Sequence, residues 1–269
     1  MLSFFKNNKE TMNRIFETVG FIDSMIAIAS YRDSLDYYSL PELSMNKQHP
    51  KLSVKEVFHP LINNPVPNSI TEDRSTLLTG SNASGKSTFI KSLAINAILS
   101  QTIYTSLSRE YRANYFVIYS SMALKDNILR NESYFIVEIK SLKRIMDKTR
   151  GEYPMLCFVD EVLRGTNTLE RIAASSRILA SLSKLNTLTF AATHDIELTY
   201  ILEKYYSNYH FRERIDNNNV LFDYKLYKGR AMTKNAIKLL NLLGYSKDII
   251  RDAEKAVDQY IKNGEWSTI

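Results

Sequence analysis

Between residues 11 and 30, apolar side chains recur at Ile15, Val19, Ile22, Met25, Ile26 and Ile28, close to the spacing of one helical face. A helix is predicted there. Prolines then crowd together, with Pro41, Pro50, Pro60, Pro65 and Pro67 accounting for five of the six in the chain. That density breaks helices and marks a connecting stretch. Beyond it, short apolar runs alternate with helix-length segments. Runs at 75–79, 115–120, 155–159 and 187–192 read as buried strands, and 87–107, 133–148, 169–184 and 195–204 read as helices. This alternation predicts an α/β fold with a mostly parallel sheet covered on both faces. Residues 208–212 and 220–227 flank Asp216-Asn217-Asn218-Asn219, an Asn-rich turn that predicts a β-hairpin. Helical periodicity returns over 233–261. Gly244 interrupts it, and Ser246 with Asp248 can start a second helix, so two helices joined by a turn are expected. The expected division is a helical piece and connector (1–51), an α/β domain (52–232) and a C-terminal helix pair (233–269).

Composition adds limits rather than a function. A hydrophobic share of 44% over 269 residues is enough for a substantial core. The net charge of +6 permits an anionic partner, but ordinary solubility explains it equally well. Cys157 stands alone, which excludes an internal disulfide framework and a Cys-cluster zinc site. No apolar run approaches the roughly 20 residues needed to span a bilayer, and the start of the chain lacks the pattern of a signal peptide. A cytoplasmic location is expected.

The strongest local signal is Gly80-Ser81-Asn82-Ala83-Ser84-Gly85-Lys86-Ser87, a complete G-x-x-x-x-G-K-S between a predicted strand and a predicted helix. Two glycines allow the backbone to turn its N–H groups inward on phosphate oxygens, and the helix start adds partial positive charge. Lys86 would reach the β- and γ-phosphates, and the Ser87 hydroxyl would hold Mg²⁺. The run at 155–159 ends in Asp160-Glu161. An acid at the end of a neighbouring parallel strand is where such a site keeps its metal, so Asp160 takes that role, and Glu161 is expected to act as general base on the attacking water. His194 follows the run at 187–192 by two residues; a lone histidine is more often structural than catalytic, but this place at the end of a strand also suits one that senses the γ-phosphate or the water. His49, His59 and His210 have no such placement and read as packing or surface residues.

These segments together resemble the MutS mismatch-repair ATPases. The resemblance rests on residues 77–88, on Val159-Asp160-Glu161-Val162-Leu163-Arg164-Gly165-Thr166-Asn167-Thr168, on Ala191-Ala192-Thr193-His194-Asp195-Ile196-Glu197-Leu198-Thr199, and on Ser133-Tyr134-Phe135-Ile136-Val137-Glu138. Phe58-His59-Pro60 and Pro67-Asn68 resemble the approach to that family's ATPase domain. The resemblance implies an ABC-type P-loop fold and an ATPase that dimerises to complete its sites, with ATP and Mg²⁺ as ligands. Gly80, Ser81, Asn82, Ala83, Ser84, Gly85, Lys86, Ser87 and Thr88 would bind nucleotide. Ser133 would approach the γ-phosphate held by a partner subunit, although its position also suits a helix cap. Arg164 to Thr168 would face the partner's site, and the C-terminal helices would form a dimerising helix-turn-helix. Tyr224 stands where the family places a ring against adenine, and it serves equally well as a hairpin packing residue.

Departures accompany the resemblance. Leu163 replaces a glycine usual in conventional members, Leu169-Glu170-Arg171 replaces their usual continuation, and Pro65 or Val66 stands where they carry an aromatic neighbour of adenine. These features resemble a divergent, short bacterial branch. No segment is long enough for mismatch-reading or clamp domains, so an excised C-terminal part or a minimal member is expected. Three functional readings follow: a dimerising MutS-like ATPase, a non-catalytic module whose assembly nucleotide controls, and a direct DNA binder. The first is favoured by the intact Asp160-Glu161 pair. DNA contact by this chain is expected to be weak and non-specific, since no dense basic stripe interleaves with aromatics.

Overall fold

A computed structural model describes residues 8–81, 83–122, 134–148, 151–216, 219–231, 237, 240–241, 244–266 and 268. The described residues form a mixed α/β fold with six helices and two sheets. In chain order the elements are α1 (Lys9–Asp33), β1 (Glu42–Ser44), β2 (Leu52–Val57), β3 (Asn68–Glu72), β4 (Ser75–Thr79), α2 (Lys86–Thr102), β5 (Glu110–Asn114) and β6 (Val117–Ser121). They continue as α3 (Tyr134–Lys148), β7 (Met155–Asp160), α4 (Thr168–Ser183), β8 (Thr187–Ala192), α5 (Glu197–Ile201), β9 (Tyr206–Asp216), β10 (Asn219–Lys228) and α6 (Lys247–Asn263).

The larger sheet has the order β10-β9-β4-β8-β7-β6. Five strands run parallel, and β10 returns antiparallel to β9 at the edge, closing the predicted hairpin. Side-chain alternation sorts this sheet into two cores. Leu78, Phe158 and Phe190 face one side with Phe89, Ile90 and Leu93 of α2. Leu77, Cys157, Val159 and Ala191 face the other, against Leu142 and Ile145 of α3 and Leu179 and Leu182 of α4. Continuous apolar strands are what a sheet covered on both faces requires, and the expectation of a covered, largely parallel sheet holds.

The proline-rich stretch departs from expectation. It contributes β1, β2 and β3 to a second sheet of order β1-β5-β2-β3, whose Leu52, Val54, Val57 and Ile70 pack on the α2 side. Prolines cannot donate to a ladder, so Pro41 stands just before β1, and Pro50, Pro60, Pro65 and Pro67 stand between the short strands and delimit them. The helix expected over 87–107 ends at Thr102, and that expected over 195–204 shortens to Glu197–Ile201. Strand β6 starts two residues later than the predicted 115–120. In the C-terminal pair, Ser246 caps α6 by accepting from the Ile249 N–H at 3.4 Å, with Asp248 in the first turn. Most of the preceding expected helix lies outside the described residues.

Helix α2 is tied to the segments that follow β2 and precede β5 by Asn96, which is fully buried. Its Oδ1 accepts from the Leu107 N–H at 2.6 Å and the Ser106 hydroxyl at 3.1 Å. Its Nδ2 donates to Phe58 O at 3.2 Å and Ser92 O at 2.9 Å. Asn96→Leu would strand buried backbone groups on two segments, so an unfolding free energy lower by about 2–4 kcal/mol is expected. Urea denaturation measures it, and an unshifted midpoint would show that the clamp contributes nothing.

Candidate active site

Strands β4, β7 and β8 end at one level, and three loops meet there. Past the strand ends the ladder continues through two hydrogen bonds, Thr193 N–H to Leu78 O at 3.0 Å and Glu161 N–H to Ala192 O at 3.1 Å. The loop between β4 and α2 begins at Gly80, with φ +141°. A Cβ at that position would lie 2.6 Å from Phe211 O, so only glycine fits the crossing. Gly85 caps α2 without a side-chain hydrogen bond, leaving the helix start open to an anion. The hydroxyls of Ser81 and Ser84 are buried and find no protein partner. Ala83 is exposed and left-handed at φ +63°, and Thr88 is exposed on the first turn of α2. Asn82 lies outside the described residues.

Lys86 is buried, and its ammonium donates to Gly80 O at 2.8 Å and Ser81 O at 2.7 Å. Burial pushes its pKa down to about 8, while the carboxylates of Glu161, Asp160 and Glu213 pull it partly back. The lysine is therefore charged at neutral pH and held by loop carbonyls that a phosphate could replace. Asp160 ends β7 two residues after Phe158, so strand alternation places it on the α2 side of the sheet with Ser87. Its Oδ1 is buried without a protein partner. An orphaned carboxylate oxygen and a helix-start hydroxyl are hard donors of the kind Mg²⁺ takes sparingly, keeping water and phosphate for the rest of its shell. Among the described residues no group of three or more His, Cys, Asp or Glu is gathered, so any such ion would rely on that outer supply.

Glu161 sits beside Asp160 with both carboxylate oxygens engaged. Oε1 is 2.9 Å from His194 Nε2, and Oε2 is 2.8 Å from Arg164 Nη1. The expected proximity of Glu161 and His194 is present, whereas the Arg164 contact was not foreseen. Ser133 lies outside the described residues. Tyr224 lines a cavity of about 360 Å³ together with Phe58, Pro65, Val66, Asn68 and Thr88. Both the predicted ring and the non-aromatic residues expected opposite it thus border one space beside Gly85.

Several supports escaped the sequence reading. Glu138 is buried and accepts from the Leu163 N–H at 2.5 Å and the Arg164 N–H at 3.1 Å. Burial raises its pKa, and those two N–H groups partly offset the rise. A signal was present: Glu138 falls on the stripe Phe135, Leu142, Ile145 that faces the core. Gly165 passes so close to Phe135 that a Cβ would lie 2.8 Å from the phenylalanine Cβ. Arg171 grips Asp195 in two bonds, Nη2 to Oδ1 at 2.6 Å and Nε to Oδ2 at 2.8 Å, tying α4 to the loop after β8.

A family model for MutS domain V matches residues 76–261, from β4 into α6. The chain belongs to the MutS family. Human MutS protein homolog 4 is 29% identical over 278 aligned positions, covering 96% of this chain and 29% of that protein. The DNA mismatch repair protein MutS of Thermotoga maritima is 28% identical over 270 positions, covering 96% of this chain and 33% of its own length. The chain spans about a third of the length of these curated MutS relatives.

The Leu163 departure from the MutS pattern has a structural consequence. Leu163 adopts φ +57°, a left-handed conformation that a glycine takes without strain. The side chain is buried among the α3 and α4 residues. Left-handed strain costs about 1–2 kcal/mol, less than the 2–5 kcal/mol or so that truncating a buried leucine removes. Leu163→Gly should therefore lower stability by about 1–3 kcal/mol in chemical denaturation. A gain in stability would show that strain outweighs packing.

Proposed function

We propose that this chain is the ATP-binding and hydrolysing part of a MutS-like protein, with an ABC-type P-loop fold, working as a dimer. The observation that carries this reading is the convergence of Lys86, Asp160, Glu161 and His194 on the loop from Gly80 to Ser87. Lys86 would exchange Gly80 O and Ser81 O for phosphate oxygens and neutralise charge that grows in transfer. Ser87 and Asp160 would hold Mg²⁺, which would supply neutralisation of phosphate charge. Glu161 would accept a proton from the attacking water, with His194 fixing the carboxylate through Oε1. The purine would occupy the 360 Å³ cavity with Tyr224 against its face.

On this reading Arg164 to Thr168 face a second subunit, the C-terminal helices form a dimerising helix-turn-helix, and Ser133 reaches the partner's site. The name of the Thermotoga maritima relative, DNA mismatch repair protein MutS, supports reading the whole protein as one that acts in DNA mismatch repair or a related process. DNA contact then belongs mainly to parts outside this chain, in a cytoplasmic protein. No helix among the described residues is long and apolar enough to cross a membrane.

Glu161→Ala should keep ATP binding and lower turnover by at least about 100-fold, whereas Lys86→Ala should abolish binding. Calorimetric titration and phosphate release measure the two effects, and normal turnover in Glu161→Ala would remove Glu161 as the base. A pH dependence follows from Lys86. Its folded pKa lies below its ordinary value, so the native chain binds fewer protons than the unfolded chain above about 8. Lys86 thus adds stability as pH rises through that range while losing the charge that attracts phosphate. ATP affinity should fall by up to about tenfold per pH unit above about 8, with proton uptake on binding. A flat affinity between about pH 7 and about pH 9 would contradict the charge assigned to Lys86.

A further inference from the structure

Strand β10 loses register with β9 between Phe222 and Leu226. Phe222 stands opposite Glu213 and Leu226 opposite Phe211, so Asp223, Tyr224 and Lys225 share the single position facing Arg212. Such a bulge bends a strand and re-aims a side chain. At its centre Tyr224 has φ +53°, a conformation that costs free energy unless its surroundings impose it. The ring comes within 3.4 Å of the position of a Cβ on Gly85, so it lies over the end of the phosphate loop.

One side chain supplies what the broken ladder lacks. Asn68, at the start of β3, donates from Nδ2 to Tyr224 O at 2.9 Å and accepts at Oδ1 from the Leu226 N–H at 2.7 Å. The same Nδ2 donates to Val66 O at 3.3 Å. Both amide protons and the carbonyl are thereby used, as an amide can satisfy three partners at once. Val66 and Tyr224 are walls of the same cavity. A single planar group therefore sets the distance between them. On the far side, Asp223 Oδ2 accepts from Tyr227 Oη at 2.6 Å and Arg212 Nε at 3.2 Å, which braces the bulge without reaching the cavity wall at Val66.

We infer that Asn68 is a positioning residue for nucleobase recognition: it fixes the ring of Tyr224 and the backbone of Val66 as the two sides of a slot for a purine. The inference rests on the nucleotide reading above. It adds a determinant of base discrimination that touches neither phosphate nor water and acts through Tyr224.

The test compares ATP with inorganic tripolyphosphate, both with Mg²⁺, on the full chain and on Asn68→Ala, Asn68→Asp, Tyr224→Ala and the Asn68→Ala/Tyr224→Ala double variant. Thermal melts select the variants that fold, and Asn68→Asp keeps the acceptor for the Leu226 N–H while losing both donors. Asn68→Ala and Asn68→Asp should weaken ATP binding roughly three- to tenfold and leave tripolyphosphate within about twofold. KM for ATP should rise while kcat stays unchanged, and the double variant should resemble Tyr224→Ala, since residues acting in series are not additive. Equal weakening of both ligands, or additive losses in the double variant, would overturn the role given to Asn68. If the unaltered chain binds ATP no more tightly than tripolyphosphate, the base-cavity reading itself fails. Loss of discrimination in Tyr224→Ala but not in either Asn68 variant would spare that reading and overturn the inference alone.

Discussion

The parallel register of β4, β8 and β7 is the constraint on which the arrangement of charged groups depends. Leu77 pairs with Ala191, and Val159 pairs with Ala191 from the other side, so three strands reach the same level together. Two hydrogen bonds beyond the strand ends, to Leu78 O and Ala192 O, carry that level into the loops. Burial on both faces locks the register. A one-residue slip of β7 would exchange Phe158 and Val159 between two differently shaped cores and turn Asp160 away from α2. The chemistry at the strand ends is in this sense a consequence of packing in the strand bodies.

The loop that follows β7 is held against strain. Glu161 and Leu163 both have positive φ, at +58° and +57°. Three supports from two helices hold it: Glu138 of α3 accepts from two of its N–H groups, Phe135 of α3 packs on Gly165, and Arg171 of α4 binds Asp195 beside it. Strained backbone persists where the surroundings over-determine it, which is common at reactive sites. The supports also explain the spacing of the α3 segment. Phe135 and Glu138 lie three residues apart on one helical face, so a ring and a carboxylate reach the same loop.

The second sheet is the part that sequence patterning obscured. Strand β1 has three residues and β2, β3 and β5 have five or six, too short for a two-residue period to stand out. The prolines between them read as a broken connector, yet they delimit strands and shape one wall of the cavity at Pro65 and Val66. By contrast, β8 and the apolar part of β7 were plain from their runs, because a strand buried on both faces carries no charged interruption, the threonines of β8 being buried with the rest. The glycine-rich loop from Gly80 to Ser87 was equally legible, since its pattern is written in consecutive residues.

The sequence by itself determined the alternating α/β order, the loop from Gly80 to Ser87, and the acids that close β7, since each is encoded over a few consecutive residues. Only the tertiary structure decided that Arg164 and His194 take opposite oxygens of Glu161, that Glu138 secures the loop, and that Asn68 joins Val66 to Tyr224. These pairings span gaps as long as the 156 residues between Asn68 and Tyr224. Local propensity carries no information about such gaps. They close only when two sheets pack on one helix and bring distant backbone groups within hydrogen-bonding distance.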